Sequence, residues 1–200
     1  RNYMETYSCE TEMRKTMKTE KNTTRMLVLS GMFAAVLGVL SQIQIPMPSG
    51  VPVTLQTFAV ALTGYVLGWK FGLVSSAAWI LLGAAGVPVF SQFSGGVGVL
   101  VGATGGFIWG FPIMAAFCGY GYAQKPVIFA GTSLAGLAVC HLMGVLQFSA
   151  VLDMKFGQAF LLASLPYLVK DVLSLVGAYA VARAVRSGLR AAGISLVSKA

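Results

Sequence analysis

The stretch Met26-Leu27-Val28-Leu29-Ser30-Gly31-Met32-Phe33-Ala34-Ala35-Val36-Leu37-Gly38-Val39-Leu40-Ser41-Gln42-Ile43 contains no charged residue. A bilayer core about 30 Å thick needs about 20 mostly apolar residues in a helix, so this run reads as a membrane span. It is too long for the core of a signal peptide, and no small-x-small cleavage pattern follows it. Further apolar segments lie near 55–69, 71–87, 105–122, 127–146 and 160–182, separated by Pro- and Gly-rich breaks. The expected fold is an all-α integral membrane protein, a bundle of six transmembrane helices whose Gly- and Pro-rich outer loops form a substrate pocket. Residues 25–190 hold this domain, residues 1–24 read as a polar N-terminal tail or expression remnant, and residues 191–200 as a short C-terminal tail.

Composition agrees. Of the 200 residues, 56% are hydrophobic and 10% charged, far from the roughly quarter-charged make-up of ordinary soluble domains. Such a chain leaves no room for a large extramembrane catalytic domain. It also lacks the Gly-x-x-x-x-Gly-Lys-Ser/Thr loop that cradles nucleotide phosphates, so any ATP hydrolysis belongs to another chain. Cys9, Cys118 and Cys140 form no Cys-x-x-Cys pair, and the latter two sit in apolar runs where a thiol behaves as a small hydrophobe. The single His141 has no second histidine or carboxylate at ligand spacing in the sequence, which favours a packed, hydrogen-bonded histidine over a metal ligand. No metal or cofactor is expected.

The net charge of +8 belongs to ends and loops, since only Lys70, Lys125, Asp153, Lys155, Lys170 and Asp171 are charged between Met26 and Ala182. Basic residues retained on the cytoplasmic side explain this better than a nucleic-acid surface. With six spans both termini share one side, and placing them in the cytoplasm also places the Lys70 and Lys125 turns there. The connections 44–54, 88–104 and 147–159 are then outside. Interrupted backbone at membrane depth is tolerated only where it is buried in protein or lines a cavity, which points to an outward-facing pocket. The tetrapeptide echo of Gly50-Val51-Pro52-Val53 in Gly86-Val87-Pro88-Val89 suggests two extended loops over one cavity, or simply a common way to end a membrane helix.

Pro52-Val53-Thr54-Leu55-Gln56-Thr57, Gly83-Ala84-Ala85-Gly86-Val87-Pro88-Val89-Phe90, Ser94-Gly95-Gly96 and Gly102-Ala103-Thr104-Gly105-Gly106-Phe107, in this order and spacing, closely resemble the BioY family. Its members are the biotin-binding membrane components of energy-coupling factor (ECF) transporters. The resemblance runs from about Met26 to about Ala182 and implies a six-helix bundle in a bacterial plasma membrane. It further implies work beside a membrane coupling subunit and two cytoplasmic ATPases, with biotin as transported ligand. The sequence departs from the family in Ala103, where a proline is frequent, and in the family's Asp-x-x-Lys pair. Lys170 matches its lysine, Tyr167 stands at the aspartate position and Asp171 follows the lysine. Adjacent helical residues project about 100° apart, so at most one of Lys170 and Asp171 is expected to face the pocket squarely.

Biotin combines an apolar bicycle, a urea and a carboxylate. Thr54, Gln56 and Gln92 offer donors and acceptors for the urea, and Trp79, Phe90 and Phe93 offer walls for the ring. Lys170, the basic residue within an apolar helix, suits the carboxylate, because an ionisable group at that depth is costly to strand. A structural pair with Asp171 or a snorkelling lysine is the alternative. Gly95, Gly96 and Gly105 allow either tight turns or close backbone approach to ligand. On the first helix Ser30, Ala34 and Gly38, broadened by Gly31 and Ala35, form a small-residue stripe suited to docking the coupling subunit or to packing within the bundle. Competing readings are the same architecture tuned to thiamine or riboflavin, a small dimeric exporter that would need Asp171 for proton coupling, and an intramembrane enzyme. The last is disfavoured because no paired carboxylates, histidine cluster or activated serine is seen within the spans.

Overall fold

The computed structural model describes residues 2–45 and 51–193, with the side chains of residues 2–19 and 21 outside the description. Cys9, Gly50 of the tetrapeptide echo and residues 194–200 of the C-terminal tail therefore lie outside what can be compared. Among the described residues, eight α-helices follow in chain order: α1 (Asn2–Ser41), α2 (Gln56–Leu67), α3 (Trp69–Ala84), α4 (Val97–Val101), α5 (Gly105–Tyr122), α6 (Pro126–Val151), α7 (Phe156–Ala163) and α8 (Leu165–Ala191). A small antiparallel ribbon pairs β1 (Gln44–Ile45) with β2 (Val53–Thr54), in the register Gln44 with Thr54 and Ile45 with Val53. The six longer helices coincide with the six apolar segments. The polar residues 2–24 continue as helix into α1.

By length and hydropathy, Asn22–Ser41 and Pro126–Val151 can each cross a membrane, and α7 with α8 supplies a third candidate bent by 49°. The last apolar segment is thus two helices, not one. The break falls at Ser164, followed by Leu165 and Pro166; a proline fits the first turn of a new helix, where its missing N–H costs nothing.

Helix α2 is the axis of the bundle. Every residue from Gln56 to Leu67 except Phe58 is buried, and α1, α3, α5 and α8 all pack against it. Small side chains make this possible: Ala59, Ala61 and Gly64 let neighbours approach, and a Cβ at Gly64 would run into the Ala115 carbonyl of α5. The α2 C-terminus is capped from α8, where Arg186 Nη1 donates to the carbonyls of Tyr65 at 2.7 Å and Val66 at 3.2 Å. A cation at the C-terminal end of a helix is favoured by its dipole. On α1, Met26, Ser30, Ala34, Leu37 and Ser41 form the inner stripe at the three- and four-residue spacing of one helical face. Opposite them Leu27, Val28, Met32 and Val39 are exposed, the outward apolar surface expected of a helix in lipid.

Connections sort by end. Gly68, at φ 82°, is the whole link between α2 and α3, and Lys70 follows it; Lys125 immediately precedes α6. The ribbon, the 85–104 segment and the α6–α7 turn containing Asp153 and Lys155 close the other end.

Candidate functional site

That second end holds a cavity that opens to the surface. Its walls come from the ribbon and start of α2 (Val51, Pro52, Thr54, Gln56, Thr57), from α5 (Phe107, Ile108, Phe111), from α6 (Leu137, Cys140, His141) and from the α7–α8 junction (Ala163, Tyr167, Lys170, Asp171), with Ser91, Val99 and Thr104 completing the rim. Apolar and polar groups are segregated. Phe107, Ile108, Phe111 and Leu137 form an apolar wall, while Lys170, Asp171, His141, Thr54 and Gln56 gather where α2, α6 and α8 meet.

The polar end is linked by hydrogen bonds and ion pairs. Lys170 Nζ donates to the Thr54 carbonyl at 3.0 Å and pairs with Asp171 Oδ1. Asp171 Oδ2 lies 3.1 Å from His141 Nε2, and His141 Nδ1 lies 2.8 Å from Ser164 Oγ. Tyr167 Oη donates to the Val51 carbonyl at 2.5 Å, tying α8 to the ribbon. Thr54 Oγ1 lies 3.3 Å from Gln56 Oε1. Both Lys170 and Asp171 line the cavity. The Lys170 ammonium reaches both the Thr54 carbonyl and the neighbouring carboxylate. The alternative of a structural pair is therefore realised in part, with Lys170 remaining at the cavity wall and its side chain 28% exposed.

Of the residues singled out from sequence, Thr54, Gln56, Tyr167, Lys170 and Asp171 line the cavity; Trp79, Phe90, Gln92, Phe93, Gly95, Gly96 and Gly105 do not. Trp79 and Phe90 are completely covered and stack edge to face, centroids 5.0 Å apart; Trp79 also backs Phe111, 6.0 Å away, which does face the cavity. Gln92 and Phe93 project to the surface, with φ 62° and 51°, and Phe93 is 72% exposed. The amide that organises this loop is Gln42 of α1: its Nε2 donates to Gly38 and Phe90 carbonyls at 3.1 and 2.9 Å, and its Oε1 accepts from Phe93 N–H at 2.9 Å. The glycines serve packing, since a Cβ at Gly95 would meet the Val87 carbonyl and one at Gly105 the Leu100 carbonyl. Gly96 holds φ 94°. The tetrapeptide echo also divides. Val51 and Pro52 line the cavity, whereas the Val89 carbonyl is bonded by Ser41 and Trp79 at 2.8 and 3.1 Å.

The small stripe on α1 is split by burial. Ser30, Ala34 and Gly38 face the bundle, where the Ser30 carbonyl accepts from Ser75 at 2.8 Å and Gly38 abuts Val89. Gly31 and Ala35 remain on the surface.

Sequence reasoning missed Thr57, Ser91, Val99, Thr104, Phe107, Ile108, Phe111, Leu137, Cys140 and Ala163 as lining residues, although Thr57, Thr104 and Phe107 stood within the quoted motifs. It also missed that Ser164, His141 and Asp171 meet in space. This is no nucleophile arrangement, because Ser164 is completely buried and off the cavity wall. Nor is Asp171 an isolated proton carrier of the kind an exporter would need, bonded as it is to Lys170 and His141. Among the described residues, no group of three or more His, Cys, Asp or Glu could hold a metal ion.

Comparison with known proteins agrees with this architecture. The sequence model of the BioY family matches residues 13–191. A protein of Thermotoga maritima named biotin transporter BioY is 40% identical over 162 residues, 79% of this chain and 94% of that protein. One of Pyrococcus horikoshii, named probable biotin transporter BioY, is 39% identical over 154 residues, 77% of this chain and 91% of its own length. The crystal structure of an S-component for biotin from an ECF-type ABC transporter superposes with a TM-score of 0.75 at 20% identity, covering 84% of this chain and 93% of that one, and shows the same fold. With its helices, cavity and sequence all in agreement, this chain belongs to the BioY family, whose members are membrane transport proteins and not enzymes.

Proposed function

We propose that this chain is the biotin-capturing subunit of an importer, which takes biotin into the cavity at the outer face of a bacterial plasma membrane and delivers it through an ECF complex without breaking a bond. The observation that carries the reading is Lys170 at the junction of the polar and apolar walls, its ammonium oriented by Thr54 and Asp171. An ammonium has three donors, and these two contacts leave one for a ligand carboxylate. The apolar wall of Val99, Phe107, Ile108 and Phe111 suits the bicyclic ring, and the hydroxyls and amide of Thr54, Thr57, Thr104 and Gln56 suit the urea. No cofactor enters this reading.

The curated relatives are named as biotin transporters, which supports biotin over thiamine or riboflavin. Energy comes from two cytoplasmic ATPases through a membrane coupling subunit that meets α1 at Gly31 and Ala35. Lys70, Lys125, Arg183, Arg186 and Arg190 fall at the end opposite the cavity; by the positive-inside rule that end, with both termini, is cytoplasmic. Titration of biotin, thiamine and riboflavin into detergent-solubilised protein tests the assignment. Saturable binding of biotin alone is expected, and binding of either other vitamin without biotin would overturn it.

A further inference from the structure

Asp171 is held at both oxygens, by Lys170 on its own helix and by His141 from α6. The protons follow from chemistry. An ionised carboxylate only accepts, so His141 Nε2 carries an N–H; in a neutral imidazole Nδ1 is then an acceptor, and Ser164 Oγ–H donates to it. The ring is further fixed by Phe107, edge-on at 5.8 Å between centroids. Ser164 is itself immobilised at the α7–α8 break, completely buried. The direction of the Nε2–H bond is therefore set by the backbone of three helices before any ligand arrives.

We infer that His141 is a positioning residue for ligand capture: it holds Asp171 so that Lys170 stays aimed into the cavity, and it leaves Asp171 a donor when a ligand carboxylate draws on Lys170. Two carboxylates then share one ammonium in a largely dry site, and a buried charge that loses its partner is costly. The histidine N–H removes that conflict without adding a second cation to the wall. A purely structural histidine would affect all ligands alike; this arrangement makes His141 matter only for ligands that bring a negative charge, and only while Asp171 is charged. The inference rests on the reading that Lys170 receives the carboxylate.

The test is a double-mutant cycle on the full chain, with biotin and biotin amide titrated into the unmodified protein, His141→Leu, Asp171→Asn and the double variant. Removing one hydrogen bond to a charged group should weaken biotin binding by about ten- to a hundredfold in His141→Leu, with amide affinity unchanged. Added to Asp171→Asn, His141→Leu should have little further effect on biotin. His141→Gln, which keeps an N–H near the Nε2 position, should recover part of the loss, and Ser164→Ala, which frees the ring, should weaken biotin but not its amide. These two variants keep the test decisive if His141→Leu does not fold. Equal binding of biotin and its amide by the unmodified chain overturns the Lys170 reading and this inference together. A carboxylate preference undiminished in His141→Leu, or undiminished in Ser164→Ala where the leucine variant is unfolded, overturns the inference alone. So does an equal loss in both ligands, or an undiminished effect in the Asp171→Asn background.

Discussion

The two sides of the cavity are built by different means. On the α6–α8 side, Ser164, His141, Asp171, Lys170 and the Thr54 carbonyl form a continuous bonded chain in an otherwise apolar bundle. On the other side, the 85–104 segment is shaped by glycines that admit neighbouring carbonyls, by the Trp79–Phe90 stack and by the Gln42 amide. The first side gathers the charged groups; the second is held by packing and backbone contacts. Three residues of that segment, Ser91, Val99 and Thr104, reach the cavity rim, while its other residues hold them in place through packing.

Substitutions can break or sharpen this contrast. Trp79→Ala should have the largest effect, about 3–5 kcal/mol of stability for a fully buried aromatic, read as a drop in thermal unfolding temperature, with biotin affinity of the remaining folded protein changed little. A loss of affinity at unchanged stability would mean that the ring reaches ligand. Gly105→Val should cost about 1–3 kcal/mol by overpacking against the Leu100 carbonyl, again in stability before affinity. Gln92→Ala should be nearly silent in both assays, within about 0.5 kcal/mol, as for a surface side chain; a tenfold loss of biotin affinity would return Gln92 to the site and erase the distinction between the two sides.

The same contrast explains what the sequence could and could not disclose. Apolar run lengths were enough to locate the six longer helices, because a span in lipid must satisfy its own backbone and declares itself by composition. The break at Ser164 was masked by a continuous apolar run through α7 and the start of α8, although Pro166 marks the first turn of the new helix. Lys170 stood out because a charge in an apolar helix is expensive, and it lines the cavity. His141 was read as packed and hydrogen-bonded, yet its carboxylate partner lies thirty positions away on another helix, a proximity no local spacing encodes. Gly95, Gly105, Trp79 and Phe90 lie off the cavity wall, a placement that composition does not encode, because glycine and aromatic residues are as useful for close packing as for binding. The stripe of Ser30, Ala34 and Gly38 carried the same ambiguity, resolved by burial in favour of the chain's own bundle.

The central claim is that the charged side of the cavity recognises the ligand's carboxylate through Lys170. It is tested most directly by measuring the affinity of biotin and of biotin amide for the unmodified chain and for Lys170→Met. Loss of one partner of a buried charge-assisted contact costs about 2–5 kcal/mol, so biotin binding should weaken by about two orders of magnitude or more. Biotin amide should bind the unmodified chain poorly and respond little to the substitution. Equal affinities of biotin and its amide for the unmodified chain, or an equal weakening of both by Lys170→Met, would contradict the claim and leave Lys170 as a structural partner of Asp171.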